Sequence, residues 1–540
     1  MVPSCEGAVS STPNPPPSVT PSPEHIVDEF SQTHKLHGRA FYESLGSPKF
    51  VLAPMVDQSE FVRVNLYSKA WRMLTRSYMT PSCRKLLAYS PMFHARMFGT
   101  IPKYRDSHFQ PLRNPLTSDP PSLGTEYFLD GNPKYDRPLF VQFCANNADE
   151  FLAAAKYVTP FCDAVDLNLG CPQGIAKKGR YGAFLQEDQQ LIYSLINKLH
   201  RNLDVPVTAK IRILETREKT LEYALNLLKA GASILTIHGR TRDMKGHKTG
   251  LADWQTIRFL RDNLPKETVL FANGNILRHE DILQCLQETG ADAVMSAEGN
   301  LYDPTIFAQA PQPHEYCREY WRGIDGSAGW RVDAVFRRYI DIIYKYVLEV
   351  SPPIRNPLYL PLFPTEENTE KKELHDEEGP IKKKQKTGKV EKTTNPNLLA
   401  MQPHLFHILR PLVAKHHNVR DALAKCRAGD LKSYEAVLQM VEEVVRVGLE
   451  QYHVTKGRSW KDEFELDERL KSIPDSLEQN GSGNNQSVGE SSVKIVRECK
   501  RPWWILQPHV RPLPQEALAK GSWALNRKEK AAQLTSLGNA

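Results

Sequence analysis

The chain has 540 residues, and its 70 Lys and Arg residues against 63 Asp and Glu residues give a formal net charge of +7. This mild excess of positive charge is compatible with a polyanionic partner but does not by itself indicate one. The nine cysteines contain no C-x-x-C pair, which argues against a zinc site or a disulfide framework and favours a reducing compartment.

Residues 1–40 are rich in Pro and Ser and predict a disordered N-terminal tail. The tail has neither the apolar stretch of a secretory signal nor the Arg-rich amphipathic pattern of a transit peptide. No run of about 18 apolar residues occurs in the chain, so we expect no membrane-spanning segment. Together these features predict a soluble protein of the cytoplasm, the nucleus or both.

Short apolar strands alternate with helices from residue 49 to residue 310. The predicted strands are Phe50–Ala53, Arg76–Met79, Leu139–Phe143, Ala164–Leu167, Val205–Ile211, Ser233–His238, Thr268–Ala272 and Ala293–Ser296. The predicted helices are Ser59–Met73, Asp149–Val158, Gln189–Arg201, Glu218–Ala230, Trp254–Asn263 and His279–Thr289, with a last one that starts near Pro304. An irregular segment of residues 81–137 interrupts the alternation.

This repeating pattern predicts an α/β protein built as a (β/α)₈ barrel, also called a TIM barrel, over residues 45–315. Eight strand–helix units match such a barrel better than an open doubly wound sheet. A doubly wound sheet that binds a dinucleotide carries a G-x-G-x-x-G sequence after its first strand. Here the first strand is followed by Pro54-Met55-Val56 instead.

A smaller all-helical domain is predicted after the barrel, formed by residues 325–350 and 398–455, whose apolar residues recur at helical spacing. Between them, residues 351–397 predict a disordered linker, and the run Lys382–Lys392 indicates either a solvated segment or one that contacts RNA or directs nuclear import. Residues 456–540 predict a mostly irregular tail. Its adjacent Trp503 and Trp504 are expected to dock on the barrel surface.

Candidate site residues, most of them polar, lie at the strand ends where a barrel carries its chemistry. They are Pro54-Met55, Gln142, Asn168 with Cys171, Lys210, His238-Gly239-Arg240, Asn273-Gly274-Asn275 and Ala297-Glu298. Each alone has an ordinary structural interpretation: a buried thiol, a lysine stem on apolar surface, a structural histidine or a turn. Their convergence on one rim favours a ligand site.

The late strand ends predict a phosphate site, because barrels often hold a phosphate on backbone N–H groups after strands seven and eight. Gly274 allows a close approach of the backbone, and Lys210 and His238 add cationic or donor groups. Gln142 can donate and accept hydrogen bonds at a planar ring. This combination favours flavin mononucleotide among phosphate-bearing cofactors, with the backbone around Met55 as the floor of the site. No metal site is predicted.

The motif set resembles the tRNA-dihydrouridine synthases. The matching segments are Ala53-Pro54-Met55, Gln142, Leu167–Pro172, Lys210, His238–Thr241 and Asn273–Asn275. The segment Gly170–Ala176 is similar to the eukaryotic branch that acts on uridines 16 and 17 of the tRNA D-loop. The resemblance is strong over residues 49–310. One departure is Ala297-Glu298-Gly299, where many bacterial members carry Gly-Arg, so both side-chain and backbone contact to the phosphate stay open.

The resemblance implies reduction of the uracil C5=C6 bond in tRNA by FMN, which NADPH or NADH reduces, with Cys171 as the proton donor to C5. A thiol suits this task because it stays largely protonated at neutral pH. The target base has to leave its stack. The resemblance assigns cofactor contacts to Pro54, Met55, Val56, Gln142, Lys210, His238, Asn273, Gly274, Asn275, Ala297 and Glu298.

RNA contacts are expected at Lys177, Lys178, Arg180, Arg240 and Arg242. The helical domain is expected to bind tRNA, with Lys415, His416, His417 and Arg420 as candidates, and the protein to be a monomer. Two other functions stay open: an FMN barrel that reduces a small pyrimidine, and a tRNA-binding or folding chaperone with a non-catalytic barrel. The basic rim disfavours the first, and Cys171, Lys210 and His238 disfavour the second.

Overall fold

The computed structural model describes residues 35–55, 69–79, 86–116, 126–315, 317–360, 393, 395–461 and 501–509. The chain divides into two compact units, Met1–Lys35 and Leu36–Ala540, and all described helices and strands lie in the second. The first of these is α1, Gly38–Ser44, so the predicted disordered tail extends too far along the chain. Among the described residues, no helix is both long and apolar enough to cross a membrane.

Nine strands form one sheet around the barrel. They are β1 Phe50–Leu52, β2 Leu86–Tyr89, β3 Phe93–His94, β4 Leu139–Cys144, β5 Ala164–Leu169, β6 Val207–Arg212, β7 Ala232–His238, β8 Val269–Asn273 and β9 Ala293–Ser296. All are parallel, and pairing between β2 and β4 closes the ring, while the short β3 extends the edge of β4. The predicted eight-stranded barrel is confirmed.

Ten described helices accompany the barrel strands, and four of them begin at polar caps. They are α2 Lys69–Ser77, α3 Ala95–Thr100, α4 Pro102–His108, α5 Ala148–Val158, α6 Gly174–Gly179, α7 Gln189–Asn202, α8 Arg217–Lys229, α9 Trp254–Asn263, α10 Glu280–Thr289 and α11 Glu298–Tyr302. The side chains of Asn147, Asp188, Thr216 and Asp253 accept backbone N–H bonds at the starts of α5, α7, α8 and α9. Such caps satisfy N–H groups that a helix leaves unpaired.

The second strand differs from the prediction. Arg76 belongs to α2, and the second barrel strand is β2, inside the segment predicted to be irregular. Residues 59–68 of the predicted Ser59–Met73 helix lie outside the described residues. The helix persists to Ser77 because Trp71 and Leu74 are buried on one face and Arg72 is buried in ion pairs with two carboxylates, 2.8 Å from Asp130 and 2.6 Å from Asp136.

Side chains alternate between the two faces of each barrel strand, as the two-residue period of a strand requires. On β5, Val165 and Leu167 belong to the core between the strands and the helices, while Ala164 belongs to the core inside the barrel. Phe41 and Tyr42 of α1 join that inner core, with Phe41 stacked on Phe140 at 5.9 Å. Helix α1 therefore closes the end of the barrel where the strands begin.

The part of the chain after the barrel begins with an unpredicted antiparallel hairpin of β10 Tyr320–Arg322 and β11 Ala328–Trp330. Six helices follow: α12 Val332–Ile342, which continues as a π-helix over Ile343–Val347, then α13 Pro396–Leu399, α14 Met401–Ile408, α15 Arg410–Lys415, α16 His417–Lys425 and α17 Leu431–Val454. Trp71 of α2 joins them to the barrel, since its Nε1 donates to Asn300 at 2.8 Å and its ring lies 4.3 Å from that of His404.

Two predicted irregular segments pack against these helices where they are described. Arg355, in the predicted linker, forms ion pairs of 2.7 Å with Asp341 and 2.8 Å with Glu435. The run Lys382–Lys392 lies outside the described residues. The expectation that Trp503 and Trp504 dock on the barrel is wrong. They contact the helical part instead, and the Trp504 ring lies 5.8 Å from that of Tyr452.

Candidate active site

The loop that carries Cys171 is fixed by Asn168, the fifth residue of β5. The Asn168 Oδ1 atom accepts from the backbone N–H groups of Gly170 at 3.1 Å and Cys171 at 2.9 Å. A second loop closes over it, since the Ala183 N–H donates to the Cys171 carbonyl at 3.1 Å. Gly182 has φ +64, and a Cβ atom there would lie 2.8 Å from that carbonyl, so this approach requires glycine.

The Cys171 thiol is partly buried beside the small apolar cluster of Cys144, Ala176 and Tyr181. Burial raises the pKa of Cys171, while the positive charges of Arg212 and Lys210 act in the opposite direction. The raised pKa means that the side chain is a protonated thiol at neutral pH. It can therefore give up a proton to a carbanion-like atom rather than act as a thiolate nucleophile.

A polar layer lies inside the barrel beneath this loop. The buried Asp166 accepts from Gln142 Nε2 at 2.8 Å and from Thr208 Oγ1 at 2.6 Å, and burial raises its pKa to about 6. The Gln142 Oε1 atom accepts from Asn168 Nδ2 at 2.8 Å. The Gln142 amide therefore keeps one N–H and one lone pair of Oε1, and its contact with a planar ring of a ligand stays a prediction.

Lys210 lies beside this loop, because it is the cross-strand neighbour of Asn168. Its Nζ atom donates to Asn273 Oδ1 at 3.0 Å, and Asn273 Nδ2 donates to the Met295 carbonyl at 2.9 Å. Burial, with the nearby Arg212, lowers the pKa of Lys210 to about 8, so the amine is still mostly charged at neutral pH. Because Asn168 also holds the loop of Cys171, this register places both groups at one mouth of the barrel.

His238 and Arg240 form a pair at the end of β7. Arg240 NH1 lies 3.0 Å from His238 Nε2, and a guanidinium can only donate, so Nε2 accepts and the proton is on Nδ1. Burial and three neighbouring cations hold the pKa of His238 well below its ordinary value, so the ring is neutral. Arg240 also donates to Asn275 Oδ1 at 2.7 Å and to the Gly250 carbonyl at 3.0 Å. These bonds fix the Arg240 guanidinium between the loops after β7 and β8, and its contact with RNA stays a prediction.

The predicted phosphate loops follow the adjacent strands β8 and β9. Gly274 has φ +115, and a Cβ atom there would lie 2.6 Å from that of Ala252, so no other residue fits without displacement. Asn275 has φ +63 and is held by Arg240 and by the Ala252 N–H at 3.0 Å. Ala297 precedes α11, and Glu298 is its first residue. Pro54 and Met55 follow β1, which pairs with β9. Val56 lies outside the described residues.

The basic residues predicted to contact RNA have different surroundings. Lys177, Lys178 and Arg180 are exposed on and after α6, and none has an ion pair with a residue that the structure describes. Arg242 instead forms an ion pair of 2.5 Å with Glu187 and lies above the Phe184 ring. Part of its positive charge is therefore compensated by the Glu187 carboxylate. Lys245, which the sequence did not indicate, donates to the Pro172 carbonyl at 2.7 Å and so supports the loop of Cys171.

Replacing Asn168 with alanine is expected to lower the free energy of unfolding by about 1–3 kcal/mol, because Gly170, Cys171 and Gln142 all lose a hydrogen-bond partner in a partly buried place. Urea denaturation followed by circular dichroism measures this change. Asn202→Ala is the matched control, since that exposed amide bonds only within its own helix. Equal stability of the two variants would contradict the role given to Asn168.

The barrel and the hairpin that follows it match a known protein family. Residues 36–337 match the family profile described as Dihydrouridine synthase (Dus). The chain belongs to the dihydrouridine synthase family. The matched residues include every candidate site residue of the barrel mouth, together with the β10–β11 hairpin and the start of α12.

The sequence similarity between this dihydrouridine synthase and its relatives extends beyond the barrel. The tRNA-dihydrouridine(16/17) synthase [NAD(P)(+)] of Saccharomyces cerevisiae is 41% identical over 481 residues, 89% of this chain and 87% of that protein. The protein of the same name from Schizosaccharomyces pombe is 38% identical over 487 residues, 90% and 94% of the two chains. A tRNA-dihydrouridine(16/17) synthase [NAD(P)(+)]-like protein of Rattus norvegicus is 43% identical over 290 residues, 53% and 58% of the two chains.

Proposed function

We propose that this protein is a flavin-dependent tRNA-dihydrouridine synthase that reduces the C5=C6 bond of uridines 16 and 17 in the tRNA D-loop. The observation that carries the proposal is that Lys210 and the loop of Cys171 lie at one barrel mouth in a chain of this family, because Asn168, which holds that loop, is the cross-strand neighbour of Lys210. The names of the two yeast relatives support both the uridine positions and the use of NADPH or NADH.

The donors at the mouth fit FMN. Lys210 has two N–H bonds beyond the one that it gives to Asn273, His238 carries a proton on Nδ1, and Gln142 keeps one N–H. Such a set suits a ring rich in carbonyl oxygens together with an anionic phosphate. These residues and the backbone of residues 273–275 and 297–298 would hold the cofactor. Arg240 positions two of them through its contacts with His238 and Asn275. When bound and reduced by NADPH or NADH, FMN supplies the hydride for uracil C6.

The chain itself manages the proton and the RNA. Cys171 holds the proton that uracil C5 receives, and Asn168 and Lys245 hold the loop that positions the thiol. Because a base inside a stack cannot enter the barrel, the target uridine has to leave the RNA stack first. Lys177, Lys178 and Arg180 are exposed near the mouth, where they bind phosphates of the bound RNA strand without reading its sequence.

The test is to purify the full chain, measure flavin released by heating, and incubate the protein with NADPH and an unmodified tRNA transcript. We expect one flavin per chain and dihydrouridine at positions 16 and 17, mapped by sequencing. A colourless protein that binds tRNA would contradict the proposal and favour the chaperone. A yellow protein that reduces free pyrimidine and ignores tRNA would favour the small-molecule enzyme.

The affinity for FMN is expected to fall as pH rises through the pKa of Lys210, about 8, because the amine is charged below that pH and neutral above it. Quenching of flavin fluorescence one pH unit below and above this value measures the change. Lys210→Met is expected to flatten the profile. In the ligand-free chain, the unfolded amine binds more protons than the folded one between about 8 and 10.5, so stability rises with pH there. A constant affinity in the wild type would remove Lys210 from the site.

A further inference from the structure

Asp166 is a buried carboxylate that the proposed reaction does not yet use. It lies on β5 two residues before Asn168, and side chains two residues apart on a strand share one face, so both point into the barrel. Two residues of a strand span about 7 Å. Asp166 therefore lies one layer below the residues of the mouth, and any part that it plays in the reaction has to pass through them.

A chain of three hydrogen bonds connects Asp166 to the loop of the thiol. The Cys171 N–H donates to Asn168 Oδ1 at 2.9 Å, and Asn168 Nδ2 donates to Gln142 Oε1 at 2.8 Å. Gln142 Nε2 then donates to Oδ2 of Asp166 at 2.8 Å. The other carboxylate oxygen of Asp166, Oδ1, accepts from the Thr208 hydroxyl at 2.6 Å. Every donor of the chain thus points toward the carboxylate.

The direction of this chain depends on its two ends. A side-chain amide can turn by about 180° around its last torsion, which exchanges its donor and its acceptor. At the upper end, the backbone N–H of Cys171 can only donate, so it fixes the orientation of Asn168. At the lower end, burial raises the pKa of Asp166 to about 6, so this group is mostly ionised at neutral pH and only accepts. Asp166 therefore determines which atom of the Gln142 amide faces the mouth.

We propose that Asp166 is a positioning residue of the reaction, which orients the Gln142 amide and through it steadies the loop of Cys171. A residue that accepts no hydrogen bond would leave an N–H of Gln142 unsatisfied inside the barrel, and the amide would turn toward another acceptor. Asn168 Nδ2 would then face a donor and lose its partner, so the side chain that holds the loop would no longer be fixed. The inference rests on the proposed function, in which Cys171 is the proton donor.

Three substitutions separate the acceptor of Asp166 from its charge and from the stability of the fold. Asp166→Asn keeps an oxygen toward Gln142 and turns its amide N–H groups toward the Thr208 hydroxyl, which can accept as well as donate. Asp166→Leu has a similar volume but no acceptor. Thr208→Val is the matched control, because it removes the bond to Oδ1 of Asp166 and leaves the chain through Gln142 intact.

The test measures the full chain in two ways, with FMN added in excess to every variant. Single-turnover formation of dihydrouridine is expected to fall by about 10²-fold in Asp166→Leu, because a displacement of about 1 Å at a reacting group has an effect of that size. Alkylation of Cys171 by iodoacetamide, followed by peptide mass spectrometry, is expected to be faster in Asp166→Leu, because its loop is less firmly held. Asp166→Asn and Thr208→Val should resemble the wild type in both measurements.

Melting temperatures, measured first, set an assay temperature at which all variants are folded. If Asp166→Leu does not fold, the smaller Asp166→Val, whose branched side chain suits a strand, takes its place. A carboxylate with only a structural role would lower the melting temperature in Asp166→Leu and Thr208→Val alike and leave both rates at the wild-type value, and that result overturns the inference. An equal loss of rate in Asp166→Asn and Asp166→Leu also overturns it, because the charge and not the acceptor would then matter.

The two measurements also keep this inference apart from the proposed function. If the wild type forms no dihydrouridine, the proposed function fails, and the alkylation rates still test whether Asp166 holds the loop of Cys171. If the wild type is active and Asp166→Leu matches it in both rates, only the positioning role of Asp166 fails.

Discussion

Replacing Cys171 with alanine is expected to lower dihydrouridine formation by about 10²–10⁴-fold, because the positioned proton donor is lost. Burial keeps the pKa of this thiol above its ordinary value, so the wild-type side chain carries the proton at neutral pH. The rate is measured in single turnover, with reduced enzyme and excess unmodified tRNA, so that product release does not hide the chemical step.

Flavin content and tRNA affinity of the Cys171→Ala variant are expected to match the wild type, since the side chain lies in the loop and not among the cationic donors. Cys317→Ala is the matched control, because Cys317 is also a partly buried free thiol but lies beyond the barrel. A Cys171→Ala variant that forms dihydrouridine at the wild-type rate would remove the thiol from the reaction.

Replacing Lys210 with methionine is expected to release most of the bound flavin. The methionine keeps the apolar stem but removes a largely desolvated cation, and the loss of such a partner typically weakens binding by about 2–5 kcal/mol, or about 30-fold or more. Asn273 also loses the donor that its Oδ1 atom accepts at 3.0 Å. The flavin-to-protein absorbance ratio after gel filtration measures the effect.

Lys266→Met is the control for this substitution, because it removes an exposed lysine from the loop before β8, at the other end of the barrel. Its flavin content should equal that of the wild type. Added FMN at high concentration should restore part of the activity of Lys210→Met if the loss is one of affinity. Full flavin retention by Lys210→Met would place the cofactor elsewhere in the barrel.

The barrel was predictable because its parallel strands are short apolar runs between amphipathic helices, and seven of the eight were found near their true positions. The second was not, because the four residues of β2 lie within a segment rich in Pro and Arg whose composition indicates a loop. The predicted helix Ser59–Met73 already included Arg72, but α2 continues to Ser77 and so takes up the first two residues of the predicted strand Arg76–Met79.

The candidate site residues were predictable where a reactive or polar residue lies at the end of a predicted strand, as Asn168, Cys171 and Lys210 do. Asp166 was missed, although the alternation of β5 already places it on the same inward face as Asn168. Lys245 was not predictable, because it reaches the Pro172 carbonyl from 73 residues away along the chain. The bond between Arg240 and Asn275 was not predictable either, because these two residues lie 35 positions apart along the chain.

Helix α1 fills the floor of the barrel with Phe41 and Tyr42, and Tyr42 is tied there by its hydroxyl to the Asp292 carbonyl at 3.0 Å. Because α1 closes this end of the barrel, reactants enter and leave at the opposite end, where the candidate active site lies. In the proposed reaction the nicotinamide and the uracil therefore bind one after the other, and the nicotinamide has to dissociate before the RNA binds.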